Sequence, residues 1–184
     1  MNVSLTRPVA PDPYSLLPPV PSFALRSDDV KDGERLPDRH TAIDAPAGEP
    51  RNVSPHLEWS GFPEATRGFL VSCFDPDAPG PSGWWHWTVV DVPVTTTSLP
   101  AGAGSPDGSG LPDGAFHLRG DDGVPGYMGP LPPVGDQVHR YFFVVHALDV
   151  PTLGIGSDTA IGAASTMVLF HTLARAILVG TYQR

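Results

Sequence analysis

Gly68-Phe69-Leu70-Val71-Ser72-Cys73-Phe74, running straight into Asp75-Pro76-Asp77-Ala78-Pro79, decides the fold. The first seven residues are apolar on both faces, the pattern of a central strand and not of one open to water on one side. Asp75 stands where the strand gives way to loop. Prolines on either side of Asp77 leave the backbone that follows few conformations. The same device recurs twice. Trp84-Trp85-His86-Trp87 opens a strand read as Trp85–Val92, and Gly129-Pro130-Leu131-Pro132-Pro133 leads to His139-Arg140-Tyr141, the head of the strongest strand, His139–Leu148. A period of two puts His86, Thr88 and Val90 on one face. Two histidines therefore each begin an apolar strand behind a stiff loop.

Working outward, Phe23–Leu25 reads as a short strand, and Ser54–Gly61 as a half-buried one with Leu57 and Trp59 on one face. Lys31-Asp32-Gly33-Glu34 has the chemistry of a hairpin turn. His40–Pro50 reads as loop. Residues 93–126, rich in Gly, Pro, Ser, Thr and Asp, form a loop long enough to be functional or wrapped over the body. Ile161–Ala174 is the one helix predicted, with Ala164, Met167, Val168, Phe170, His171 and Ala174 on its apolar face. Ala176–Tyr182 reads as a closing strand. Residues 1–22 form a proline-rich arm lying on or near a single domain, 23–184. The fold expected is all-β dominated: an antiparallel, Greek-key-like β-sandwich of two sheets with one or two C-terminal or peripheral helices.

The composition narrows the function. The chain has 184 residues, 23 prolines, 20 glycines and a formal net charge of -9. That charge disfavours non-specific binding to nucleic acid and broad docking on anionic membranes, so an anionic ligand needs local donors. The single cysteine, Cys73, excludes an internal disulfide and a multi-cysteine zinc cluster, and reads as a small buried hydrophobe. No apolar run approaches the ~18 residues of a membrane span, and the N-terminus lacks a signal-peptide pattern; a cytoplasmic protein is expected. Neither a Gly-x-Ser-x-Gly elbow nor a His-Glu-x-x-His motif occurs.

If the strands are neighbours, His86, His139, Asp75 and Asp77 meet at one place suited to a phosphate-like anion. Imidazole N–H groups, and backbone N–H groups of the glycine-rich loops, can donate to it. A carboxylate, Asp75 or Asp77, would hold the imidazole tautomer and raise its pKa. Tyr141 shares the His139 face and is expected to line the pocket. Arg140 points the other way, toward an ion pair with a loop carboxylate. Trp84, Trp85 and Trp87 offer an aromatic wall, at least one of them being core. A cis Ala78–Pro79 bond would suit the tight turn. Two readings of other classes stay open. One is a hydrolase or metal enzyme using His86, His139 and Asp75, and the other a protein-interaction regulator with a vestigial pocket.

In combination, Asp75-Pro76-Asp77-Ala78-Pro79, the Trp84–Trp87 segment with His86, Pro132-Pro133-x-Gly135 before His139-Arg140-Tyr141, Ser54-Pro55-x-Leu57-x-Trp59-x-Gly61 and Gly180-Thr181-Tyr182 resemble the phosphatidylethanolamine-binding protein family in its bacterial, Raf-kinase-inhibitor-like branch. The resemblance runs from about residue 20 to the end. It implies a two-sheet sandwich with an anion pocket at one end, in which Asp75, Asp77, Pro79, His86, Pro132, His139 and Tyr141 would bind the ligand; Trp84 joins them as part of the aromatic wall. It also implies a binder or regulator more than an enzyme, with no catalytic residue, metal or cofactor, and it admits a homodimer. The chain departs from the family pattern at Trp85, where animal members carry a second histidine, and at Leu131, where bacterial members often carry cysteine.

Overall fold

The computed structural model describes residues 5–44, 49 and 51–184. The first four residues of the expected arm, and residues 45–48 and 50 of the expected His40–Pro50 loop, lie outside that description. Eight strands are described: β1 (Ala24–Arg26), β2 (Leu57–Ser60), β3 (Gly68–Asp75), β4 (Trp84–Pro93), β5 (Ser98–Leu99), β6 (Phe116–His117), β7 (His139–Leu148) and β8 (Thr172–Tyr182). They form two sheets, β1-β2-β5 and β6-β4-β3-β7-β8, with every neighbouring pair antiparallel. The expected all-β, two-sheet architecture is the one observed.

The core lies between the sheets. Leu57 and Trp59 of the small sheet meet Phe69, Val71, Cys73, Trp87, Val89, Tyr141, Phe143 and Val145 of the large one. The opposite face of the large sheet is covered too. Leu70, Val90, Leu118 and Leu148 pack under Ala164 of helix α1 (Ile161–Met167) and Val168 just after it. Burial on both faces explains why β3 and β7 read as continuous apolar runs. Cys73 is a free, buried thiol within the inner layer.

Three local expectations are corrected. Helix α1 ends at Met167 and passes through a 3-10 turn, Val168–His171, into β8. The segment expected to be helical through Ala174 instead pairs with β7, Ala147 opposite Ala174. Only Ala164 and Val168 of the expected apolar face bury in the helical part, while Phe170 is 81% exposed. Long-range pairing has overridden a helical period. The Lys31–Glu34 turn makes no hairpin: Gly33 and Leu36 N–H groups donate to the Val179 and Thr181 carbonyls, so the segment lies along β8. The strand before it, β1, finds its antiparallel partner only at β2, beyond the turn and the loop that follows.

The third correction concerns β4. Cys73 pairs with Trp87 but Phe74 pairs with Trp85, so His86 is an extra residue in the ladder. Such a bulge shifts alternation by one position. Trp85 therefore turns outward against Phe74, their rings 4.5 Å apart, while His86 turns inward beside Tyr141, 5.1 Å between rings. His86 does not share a face with Thr88 and Val90. A second irregularity lies between the Val71–Val89 and Phe69–Val92 pairs, where Asp91 has φ +57°.

Candidate functional site

Strand order positions the site. β3 runs antiparallel to both β4 and β7, so its C-terminal end, Asp75, lies between the N-terminal ends that carry His86 and His139. A single Asp75 oxygen, Oδ2, lies 2.7 Å from His139 Nδ1 and 4.0 Å from His86 Nε2. The other, Oδ1, accepts the Asp77 N–H at 2.8 Å and closes the Asp75-Pro76-Asp77 turn. This side-chain bond shapes the turn with all peptide bonds trans among the described residues, Ala78–Pro79 included, against the expectation of a cis bond.

A cavity of about 290 Å³ opens here, lined by Asp75, Ala78, Pro79, Trp84, His86, Met128, Leu131, Pro132, Pro133, His139 and Tyr141. Seven of the eight residues singled out in the sequence are among them. Asp77 is not. Its fully buried carboxylate is gripped by Arg140, through Nε at 2.7 Å and Nη2 at 3.0 Å, and also accepts the Arg140 and Ala10 N–H groups. Of the two loop aspartates proposed for that role, Asp75 is the one on the histidine, and Arg140 makes its expected ion pair. The three tryptophans part company: Trp84 lines the cavity, Trp85 lies on the outer face, and Trp87 is core, its Nε1–H donating to His117 at 3.2 Å.

Sequence reasoning missed Asp136 and Arg7. Asp136 Oδ2 lies 3.0 Å from His139 Nε2, and Arg7 bridges both Asp136 oxygens at 2.7 and 2.9 Å while also donating to the Asp77 carbonyl. An acid in the Gly135–His139 loop was a readable signal for Asp136. Nothing local marks Arg7.

The electrostatics follow from these contacts. Both ring nitrogens of His139 face carboxylates, an arrangement that needs a proton on each. Burial opposes the imidazolium, but Asp75 and Asp136 outweigh it and hold the pKa above the ordinary histidine value. Burial likewise pushes Asp75 upward, and the two histidines overcome it, leaving its pKa below the usual value. The Arg7 guanidinium holds Asp136 far below the carboxylate range. Asp75, Asp136, His139 and Arg7 thus form a neutral set, and Asp77 with Arg140 forms another.

Three residues that line the cavity carry a buried polar atom without a partner. His86 Nδ1–H donates to the Met128 carbonyl at 2.6 Å, which leaves Nε2 directed toward Asp75. His86 Nε2, the Tyr141 hydroxyl and the Trp84 Nε1–H are each buried with no hydrogen-bond partner among the described residues. Burial moves the Tyr141 hydroxyl well above its usual pKa, so it is a neutral donor. The glycine N–H groups expected to cradle an anion are otherwise engaged: Gly129 donates to Asn52 and Gly135 to the Arg184 carbonyl.

Residues 26–183 match the model of the phosphatidylethanolamine-binding protein family. The chain belongs to that family. UPF0098 protein YbhB of Escherichia coli is 42% identical over 158 residues, 86% of this chain and 98% of that one. The crystal structure of E. coli YbcL, described as a new member of the mammalian PEBP family, is 41% identical, with a TM-score of 0.83 over 89% of this chain and 99% of that one. A PEBP homologue from Chlamydia trachomatis, CT736, is 26% identical with a TM-score of 0.72, over 89% and 98% of the two chains. Among the described residues, no helix of this phosphatidylethanolamine-binding family member is long and apolar enough to cross a membrane.

Proposed function

We propose that this protein captures a small phosphate-like anion, a phospholipid head group included, in the cavity between Asp75, His86 and Tyr141, as a cytoplasmic binder or regulator. One observation carries the reading. Three residues that line one cavity, Trp84, His86 and Tyr141, each carry a buried polar atom without a partner among the described residues, and a buried polar group left unpaired is costly. The lone pairs of an oxyanion can accept from two of them, the Trp84 Nε1–H and the Tyr141 hydroxyl. The third, the His86 Nε2 lone pair, can accept a hydrogen bond from the proton-bearing oxygen of a hydrogen phosphate. The ion-paired set around His139 contributes no net charge, so recognition rests on these local donors.

The metal-hydrolase reading fits less well. His139 uses both ring nitrogens on carboxylates and has no lone pair for a cation. No group of three or more His, Cys, Asp or Glu side chains suited to holding a metal ion occurs among the described residues. Calorimetric titration with phosphate and with phosphoethanolamine tests the proposal. His86→Ala is expected to weaken binding about tenfold, roughly 1.4 kcal/mol. Equal affinity in wild type and variant would refute the assignment.

A further inference from the structure

The family match begins at residue 26, yet the chain before it reaches Asp136, the carboxylate that holds His139 at the edge of the pocket. Residues 5–22 are fastened at several points along the large sheet. The Ala10 N–H donates to Asp77 Oδ1 and its carbonyl accepts Arg140 Nη2 at 2.6 Å. Tyr14 packs on Phe142, the ring centroids 5.8 Å apart. The Pro21 carbonyl accepts the Arg175 N–H at 2.9 Å. These attachments aim Arg7 at Asp136, with Nη2 also 3.5 Å from His139 Nε2.

We propose that Arg7, carried by this N-terminal arm, is a positioning residue of the anion pocket: by holding Asp136 it sets the charge that an incoming ligand meets. The inference rests on the anion-binding reading above. Arg7 does not line the cavity itself, and it acts through Asp136 and His139. The charge count shows why it matters. Without Arg7, the carboxylates of Asp75 and Asp136 flank one imidazolium, and the pocket carries one net negative charge. With Arg7 the set is neutral. In a chain of net charge -9, no long-range field compensates for that loss. The arm then braces the charged groups beside the pocket and is not a plug across its mouth.

The test compares wild type, Arg7→Gln and Arg7→Lys in two measurements. The first is calorimetric titration with inorganic phosphate. Loss of one unit charge a few ångströms beyond the pocket should weaken binding roughly three- to tenfold in Arg7→Gln at low salt, with Arg7→Lys recovering most of it. The second follows the His139 ring by NMR in protein without added anion. The groups facing this ring are Asp75 at the end of β3, Asp136 in the loop before β7, Arg7 on the arm, and His86 and Tyr141 across the cavity. Removing the only fixed cation among them should move the His139 titration to higher pH. Phosphate binding in Arg7→Gln equal to or tighter than wild type overturns the proposal, as does an unmoved His139 titration. If wild type itself does not bind phosphate, the function proposed above fails and so does the role of Arg7 in anion binding. The ring titration then separately decides whether Arg7 governs His139.

Discussion

Tyr141→Phe should make the protein no less stable and a poorer binder. The substitution removes one oxygen and keeps the ring, which lies 5.1 Å from His86 and 6.5 Å from His139, centroid to centroid. In the free protein that hydroxyl is buried and meets no partner among the described residues. An unsatisfied buried hydroxyl costs about 1–3 kcal/mol, so deleting it should leave stability unchanged or improve it by about that amount. For a chain of this size, 1 kcal/mol corresponds to about 2–4 °C in Tm. With phosphate present the hydroxyl donates to a charged oxygen, a bond worth about 1.5–3 kcal/mol, which predicts a loss in affinity of roughly ten- to a hundredfold. Thermal melts with and without phosphate, together with calorimetric titration, read both quantities. The opposite signs make the result diagnostic. A drop in the Tm of the free protein by more than about 4 °C would mean the hydroxyl is a structural bond, and unchanged phosphate affinity would remove it from the site.

Arg140→Ala strands the Asp77 carboxylate, whose side chain is fully buried, and should cost about 3 kcal/mol or more in chemical denaturation. A loss below about 1 kcal/mol would mean that the backbone N–H groups at positions 10 and 140, with water, suffice to hold Asp77. Stability should also depend on pH through His139. Its folded pKa lies above the unfolded value of about 6.5, so its contribution is fully present below that pH and is lost as pH rises through the folded value. Asp75 and Asp136 act oppositely: their folded values are depressed, so their contribution is present above about pH 4 and is lost on acidification. Melting curves from pH 6 to 9 should converge for wild type and His139→Gln as pH rises, and parallel profiles would refute the ion-pair account.

The strands that build the pocket were legible because their signal is local. Gly68–Phe74 and His139–Leu148 carry apolar side chains on both faces, and sandwiching a sheet between two packed layers demands that whatever the register. The end of β3, and with it the place of Asp75, followed from the proline that comes next. The amphipathic period over Ile161–Ala174 was equally visible and partly misleading, since a nearly unbroken ladder of pairs with β7 outweighs a weak helical preference.

Tertiary structure alone decided which way each pocket side chain points. Alternation in the sequence puts His86 on the outer face, and only the bulge opposite Cys73 and Phe74 turns it inward, because a bulge is defined by the partner strand. Whether Asp75 or Asp77 would orient His139 depended on where Arg140 and the arm lie in space. Arg7 stands 129 residues from Asp136 along the chain, and no local pattern encodes a contact at that separation. Residue types and strand ends are properties of short stretches. Facing, pairing and the charge of a shared cavity come into being only when distant stretches pack together.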